Sequence, residues 1–230
     1  MMLLRTYIGY EERERRSFEV AMHTAAARGF SPQPLREDVL RTSGILTRPT
    51  DRRGQTWDLN SNAPQATAFA VARFATPLLA HTGWALFTDC DMVFIQYAHH
   101  LLALADPRYA VMVVKHDVGN VGGTKMDAQA QTSYPRKLWS SVTLWNCDHP
   151  ANKRLNLTTL NSWPGRDLHA FSWLHDDEIG ALPAEWNWLV GMQPMPVRPA
   201  IAHYTLGTPE LLVECQHAGL WEQAAKEHNI

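Results

Sequence analysis

Trp84-Ala85-Leu86-Phe87-Thr88-Asp89-Cys90-Asp91 governs how the rest of this 230-residue chain is read. Trp84 to Phe87 is an unbroken apolar run, the pattern of a strand buried in the middle of a sheet. It runs directly into two aspartates separated by one residue. In extended chain, residues i and i+2 project to the same side, so both carboxylates can face one point. Two like charges held so close favour a positive charge between them. Hard oxygen donors of this kind suit Mg²⁺ or Mn²⁺. A bare Asp-x-Asp also occurs in ordinary surface turns. Here Met92-Val93-Phe94 follows the pair, so apolar chain flanks it on both sides, where a carboxylate needs a partner. In open α/β sheets, ligands bind beyond the carboxyl ends of the strands, which is where this pair falls.

Outward from that strand, helical and extended patterns alternate. Residues 3–8 read as a first strand ending at Gly9-Tyr10. Residues 11–28 read as a helix with Phe18, Ala21, Met22 and Ala25 on one face and Gly29 as its stop. Glu11, Glu12, Arg13, Glu14, Arg15 and Arg16 read as its solvated charged face. Residues 31–66, rich in Pro, Arg, Thr, Asp and Asn, read as a long irregular segment of the kind that forms binding loops or lids. Residues 66–80 read as a helix broken near Pro77, with Gly83 in the turn that follows. Past the aspartates come a short helix over 99–105, a strand over 109–114 ending at Lys115-His116-Asp117, a loop over 119–134 containing Gly122-Gly123, and a strand over 139–145 ending at Asn146. Thr208-Pro209-Glu210 reads as the start of a final helix that puts Leu211, Leu212, Cys215 and Trp221 near one face. This order predicts a single α/β domain over residues 1–230, with a central, mostly parallel mixed sheet flanked by helices.

Composition narrows the function. The formal net charge of -2 argues against nucleic-acid binding, which needs a broad basic face. Three cysteines without a CxxC pair indicate neither a zinc knuckle nor a disulfide framework. The apolar start is too short for a signal peptide, and no apolar run is long enough to span a membrane. The expected compartment is therefore the cytoplasm. Nine tryptophans read mostly as core, with some available to stack on sugar rings. His203, in Ile201-Ala202-His203-Tyr204-Thr205-Leu206-Gly207, could complete a cation site. Taken alone, it reads rather as a hydrogen-bonded core histidine.

The run from Trp84 to Asp91 resembles the strand and metal motif of GT-A glycosyltransferases, most of all glycosyltransferase family 8 and its bacterial relatives. Four further stretches resemble that family in chain order. Tyr7-Ile8-Gly9-Tyr10 is similar to its first strand and base-binding turn. Ala72-Arg73-Phe74-Ala75-Thr76-Pro77 is similar to the helix whose arginine reaches the donor site. Residues 139–146 are similar to the strand on the acceptor side. His203-Tyr204-Thr205-Leu206-Gly207 resembles the C-terminal His-x-x-x-Gly motif, whose histidine is the third metal ligand. The family often continues into a Lys-Pro-Trp run that touches the diphosphate. Here Thr208-Pro209-Glu210 follows, leaving Arg73 or Lys115 to supply positive charge. The family's Asp-Gln pair beside the acceptor has its counterpart in Asp176-Asp177-Glu178, and Trp186-Asn187-Trp188 falls near the same wall or in the core.

The resemblance implies a UDP-sugar or another nucleoside-diphosphate sugar as donor, bound near Gly9, Tyr10, Arg73, Asp89 and Lys115. It implies Mn²⁺ or Mg²⁺ on Asp89, Asp91 and His203, and a glycan, lipid or protein acceptor. It also implies retention of anomeric configuration. Arg73 would act on the phosphates or a site acid, and Asp176 or Asp177 would be the base if the reaction inverts. Two other activities compete: a nucleotidyltransferase, disfavoured because Gly9-Tyr10-Glu11-Glu12 is acidic and not glycine-rich, and a non-catalytic nucleotide-sugar binder. A structural protein with solvated turn aspartates is the remaining reading.

Overall fold

The computed structural model describes residues 3–117, 123–124, 130–131 and 136–230. Its strands are β1 (Leu4–Gly9), β2 (Phe30–Leu35), β3 (Thr50–Arg52), β4 (Thr56–Asp58), β5 (Ala63–Pro64), β6 (Trp84–Thr88), β7 (Met92–Phe94), β8 (Val111–Val113), β9 (Gly123–Thr124), β10 (Ala130–Gln131), β11 (Val142–Asn146), β12 (Ile179–Ala181), β13 (Trp188–Leu189) and β14 (Ile201–His203). Its α-helices are α1 (Arg15–Ala27), α2 (Glu37–Thr42), α3 (Thr76–Ala80), α4 (Ala98–Leu102), α5 (Leu157–Ser162), α6 (Gly165–His169) and α7 (Ala218–Glu227). The loop expected over 119–134 lies outside the described residues except for the antiparallel pair β9 and β10.

Six strands form the central sheet in the order β12-β8-β11-β6-β1-β2. All neighbouring pairs are parallel except those of β11, which runs antiparallel to both β6 and β8. The expected mostly parallel mixed sheet is therefore present. Ala85, Leu86, Phe87 and Thr88 are fully buried, as an apolar central strand requires. After Asp89-Cys90-Asp91 the chain leaves this sheet and enters a second one, ordered β13-β14-β7. α1 lies between the two cores. Its Ala21 and Ala25 join the main core, while Val20 packs with Val93, Trp188, Tyr204 and Trp221 under the smaller sheet.

Several local expectations are corrected. Within residues 31–66 the chain is not irregular: it builds β2, α2 and a small antiparallel sheet, β3-β4-β5. Polar composition hid these elements because β3, β4 and β5 pair only with one another among the described strands, and β3 is exposed. Pro77 does not break a helix but sits in the first turn of α3, where its missing N–H costs nothing. The last helix starts at Ala218, not at Thr208, and Leu211 is exposed. Glu11 and Glu14 are not solvated. Glu11 accepts from the Ala68 N–H at 2.9 Å and from Arg13, and Glu14 accepts from Cys90 Sγ at 3.3 Å. Buried tryptophans fill the interior, with Trp145 and Trp173 stacked at 6.1 Å between ring centroids.

One ion pair fastens the small sheet to the body. Arg48 is 1% exposed and Asp58 is 1% exposed. Arg48 Nε donates to Asp58 Oδ1 at 3.2 Å and Nη2 to Oδ2 at 2.5 Å, while Nη1 donates to the carbonyls of Leu160 (2.8 Å) and Trp163 (2.7 Å). Removing one member of such a pair strands the other charge in a dry site. We expect Arg48→Ala to destabilise the fold by about 3–5 kcal/mol, read as a large drop in the urea midpoint. A surface pair such as Arg53–Asp51, half-exposed on both sides, should change it by less than about 1 kcal/mol when Arg53 is truncated.

Candidate active site

The site is assembled where β6 hands the chain to β7. Asp91 precedes β7, and β14 pairs antiparallel with β7 so that His203 lies opposite Met92. The Tyr204 N–H donates to the Asp91 carbonyl at 2.9 Å, and the Asp89 N–H donates to the Ser141 carbonyl at 3.0 Å. Backbone pairing thus fixes both aspartates and the histidine. Asp89, Asp91 and His203 each present a ligand atom within 4.8 Å of the others. His203 Nε2 lies 3.4 Å from Asp91 Oδ1, and the imidazole is 1% exposed.

Two supporting contacts orient these ligands. Asn187, fully buried, donates through Nδ2 to Ser141 Oγ at 2.8 Å, and its Oδ1 lies 2.9 Å from His203 Nδ1. Because the carboxamide oxygen faces the ring, Nδ1 carries the proton and Nε2 keeps its lone pair towards Asp91. Arg73 Nη1 lies 2.9 Å from Asp89 Oδ1 and donates to the Ser140 carbonyl at 2.9 Å. Its guanidinium lies over the rings of both Phe69 and Phe87, at 5.3 and 5.0 Å, a contact that favours a permanent cation.

Asp89 and Arg73 open onto a cavity of about 390 Å³ that is also lined by Gln65, Lys137, Ser141 and His169. A second part of its wall is the end of the β3-β4-β5 sheet, including Asp58 and Ser61, with Gly165 and Arg166 beside it.

Of the residues named from sequence, Asp89, Arg73, Asp91 and His203 come together here. Gly9 and Tyr10 do not line the cavity. A Cβ on Gly9 would sit 2.4 Å from the Phe69 ring, so glycine is required there for close packing. Tyr10 instead holds Glu12 through its hydroxyl, with the Arg36 guanidinium 4.3 Å over its ring. Lys115 is exposed and lies 5.6 Å from the Trp139 ring. Asp176 is 90% exposed and pairs with Arg136, and Asp177 is exposed. Neither lines the cavity. They precede β12, and the neighbouring Glu178 carbonyl accepts from the Ala110 N–H where β8 begins, at the sheet end away from Asp89.

Lys137 and Ser141 line the cavity but were not singled out from sequence, because residues 139–146 read as a strand without a direction. As β11 is antiparallel, its first residues, not its last, face the site. Lys137 is 6% exposed, and the basic pair Arg136-Lys137 before a strand was the available signal. His169 stands beside it, with Nδ1 2.8 Å from Ser140 Oγ.

Burial, reinforced by Arg73, holds His169 well below the usual histidine pKa. Burial, reinforced by His203, pushes His116 down to about 4. Both rings are therefore neutral in the native state at pH 7, whereas in the unfolded chain each takes up a proton near pH 6.5. Below that pH the unfolded state binds more protons, so stability is full above about pH 6.5 and falls as acid is added. For His116 the loss runs down to about pH 4. We expect the urea midpoint to fall between pH 6.5 and 4, and His116→Asn to flatten that fall.

No protein-family model matches the sequence. Protein CDI of Arabidopsis thaliana is 38% identical over 236 residues, covering 98% of this chain and 87% of that one. Among solved structures, the bifunctional WbbM has a TM-score of 0.61 at 13% identity and covers 96% of this chain, which spans about half, 49%, of WbbM. The glycosyltransferase GlyE of Streptococcus pneumoniae TIGR4 has a TM-score of 0.59 at 11% identity, over 96% of this chain and 60% of GlyE. The galactosyltransferase LgtC, solved with donor and acceptor sugar analogs, has a TM-score of 0.58 at 10% identity, over 97% of this chain and 96% of LgtC. At such identities the likeness establishes the fold. The chain therefore belongs to the family of Protein CDI and is built on the GT-A glycosyltransferase fold.

Proposed function

We propose that the protein is a divalent-metal-dependent glycosyltransferase that moves a sugar from a nucleoside-diphosphate sugar, with UDP favoured, to a hydroxyl of a glycan, lipid or protein. The observation that carries this reading is the convergence of Asp89, Asp91 and His203, with Asp89 lining the cavity. The donor set fits Mn²⁺ or Mg²⁺: two hard carboxylates and one imidazole, with the nitrogen tilting preference towards Mn²⁺. When bound there, the cation would offset the charge that grows on the departing diphosphate.

The chain's own residues do the rest. Asn187 keeps the His203 lone pair turned to Asp91, and Arg73 steadies the Asp89 carboxylate. Lys137 adds positive charge to the cavity wall. It supports a phosphate-binding role that the sequence reading gave to Lys115. Where the family resemblance led to a lysine after Gly207, Thr208 is buried, its Oγ1 meeting Ser17 Oγ at 3.0 Å, and Glu210 lies 3.7 Å from Arg16. That stretch faces α1 instead of the cavity.

Retention is the favoured stereochemistry. An inverting route needs a carboxylate base at hydrogen-bond reach of the acceptor. Among the described lining residues the carboxylates are Asp58 and Asp89, the first held by Arg48 and Ser61 and the second beside Arg73. For that reason the proposal leaves Asp176 and Asp177 out of the chemistry. The same shortage supports a second reading, a nucleotide-sugar binder that does not transfer.

Calorimetric titration with UDP and GDP, with and without Mn²⁺, tests the donor site. Binding should require both the metal and Asp91, so Asp91→Ala should abolish it. Equal affinity without metal would sink the reading. Asn187→Leu should weaken Mn²⁺-dependent binding about 10–100-fold, the usual effect of removing an orienting partner. Hydrolysis of UDP-sugars then separates an enzyme from a binder.

A further inference from the structure

Gln65 lines the cavity and is 8% exposed. Its main chain is held twice: its N–H donates to the Thr56 carbonyl at 2.8 Å, and its carbonyl accepts from Gln55 Nε2 at 2.9 Å. Its carboxamide oxygen, by contrast, is buried and meets no hydrogen-bond partner among the described residues. Buried carboxamides are nearly always satisfied, so an unsatisfied one on a cavity wall calls for an explanation.

The neighbouring polar groups are already engaged. Asp58 accepts from Arg48 and from the Ser61 N–H at 3.1 Å. Ser61 Oγ accepts from the Gly165 N–H at 2.7 Å. Asn62 Oδ1 accepts from Trp57 Nε1 at 3.3 Å. The buried Arg48–Asp58 pair ties this wall to α5 and the chain after it, so the wall is preorganised before any ligand arrives.

We propose that Gln65 is a specificity-determining residue that reads a sugar hydroxyl in the cavity. A neutral carboxamide carries one acceptor and one donor end, which matches a hydroxyl that both gives and takes a hydrogen bond. It does not match a phosphate, which only accepts. The inference rests on the donor-site reading above. The hydroxyl can belong to the donor sugar or to an acceptor saccharide, and the chemistry is the same.

The test has two arms, each with Mn²⁺ present and each run on the wild type, Gln65→Met and Gln65→Glu. In the first, UDP is compared with UDP-glucose, UDP-galactose and UDP-N-acetylglucosamine by calorimetry. In the second, methyl glycosides of the same sugars are titrated into the UDP-bound protein. Gln65→Met should leave the affinity for UDP within about twofold and weaken the sugar contribution about tenfold in one arm. The affected arm identifies the source of the hydroxyl. Gln65→Glu, which keeps an acceptor oxygen, should retain most of that contribution and shows that the loss in Gln65→Met is not misfolding. Changes under twofold in both arms overturn the assignment. So does a tenfold loss for UDP itself, which would give Gln65 to the nucleotide. If the wild type binds no UDP with Mn²⁺, the donor-site reading falls and takes this inference with it. If UDP binds normally and only the sugar dependence on Gln65 is missing, the donor site stands and this inference alone falls.

Discussion

The hydrogen bond from the Tyr204 N–H to the Asp91 carbonyl records the constraint on which the site depends. It extends the β14–β7 ladder by one step, and that ladder sets His203 beside the aspartates from more than a hundred residues away in sequence. Register is unforgiving in a strand: a slip of one residue turns every side chain to the opposite face. Shifted by one, β14 would aim Ala202 at the aspartates and send His203 into the apolar side. Trp188, Tyr204 and Trp221 pack the β13-β14-β7 sheet against α1 and α7 and so protect the register.

The cavity has two walls of different character. One wall belongs to the central sheet and its exits, and its polar groups are chained to one another and to the buried His203: Arg73 to Asp89 and Ser140, Ser140 to His169, and Ser141 through Asn187 to His203. Chained groups hold one another in place, which is what a site for a hard cation needs. The other wall is the small surface sheet β3-β4-β5, which has little apolar area of its own. It is kept in position by the dry Arg48–Asp58 pair and by Asn161, whose Oδ1 accepts from the Thr47 N–H and whose Nδ2 donates to the Ile45 carbonyl. A buried ion pair contributes geometry more dependably than net stability, and geometry is its use here.

Acidic residues show how little local pattern says about position. Glu11 and Glu14 sit in a charge run that reads as solvated, yet both are buried because the chain around Ala68 and Cys90 folds over them. Asp176 and Asp177 look like a catalytic pair and lie in solvent. The difference is made by which distant segment packs against each run. Spacing along the chain carries no record of that.

Read by itself, the sequence determined the strand Trp84–Thr88, the aspartates at its exit, the α/β class with one mixed sheet, and Arg73 and His203 as companions of the aspartates, the last two only through family resemblance. These features are legible because apolar runs and i, i+2 spacing are local and each is tied to a single geometry. Only the tertiary structure decided that β11 runs backwards, which brings Ser141 and Lys137 to the cavity and carries Asn146 away. It alone decided that residues 50–64 build a wall, that Asn187 holds His203, and that Gly9 makes room for Phe69 instead of a ligand. Strand direction and the contacts between distant segments follow from the packing of the whole chain, and no short stretch contains that information.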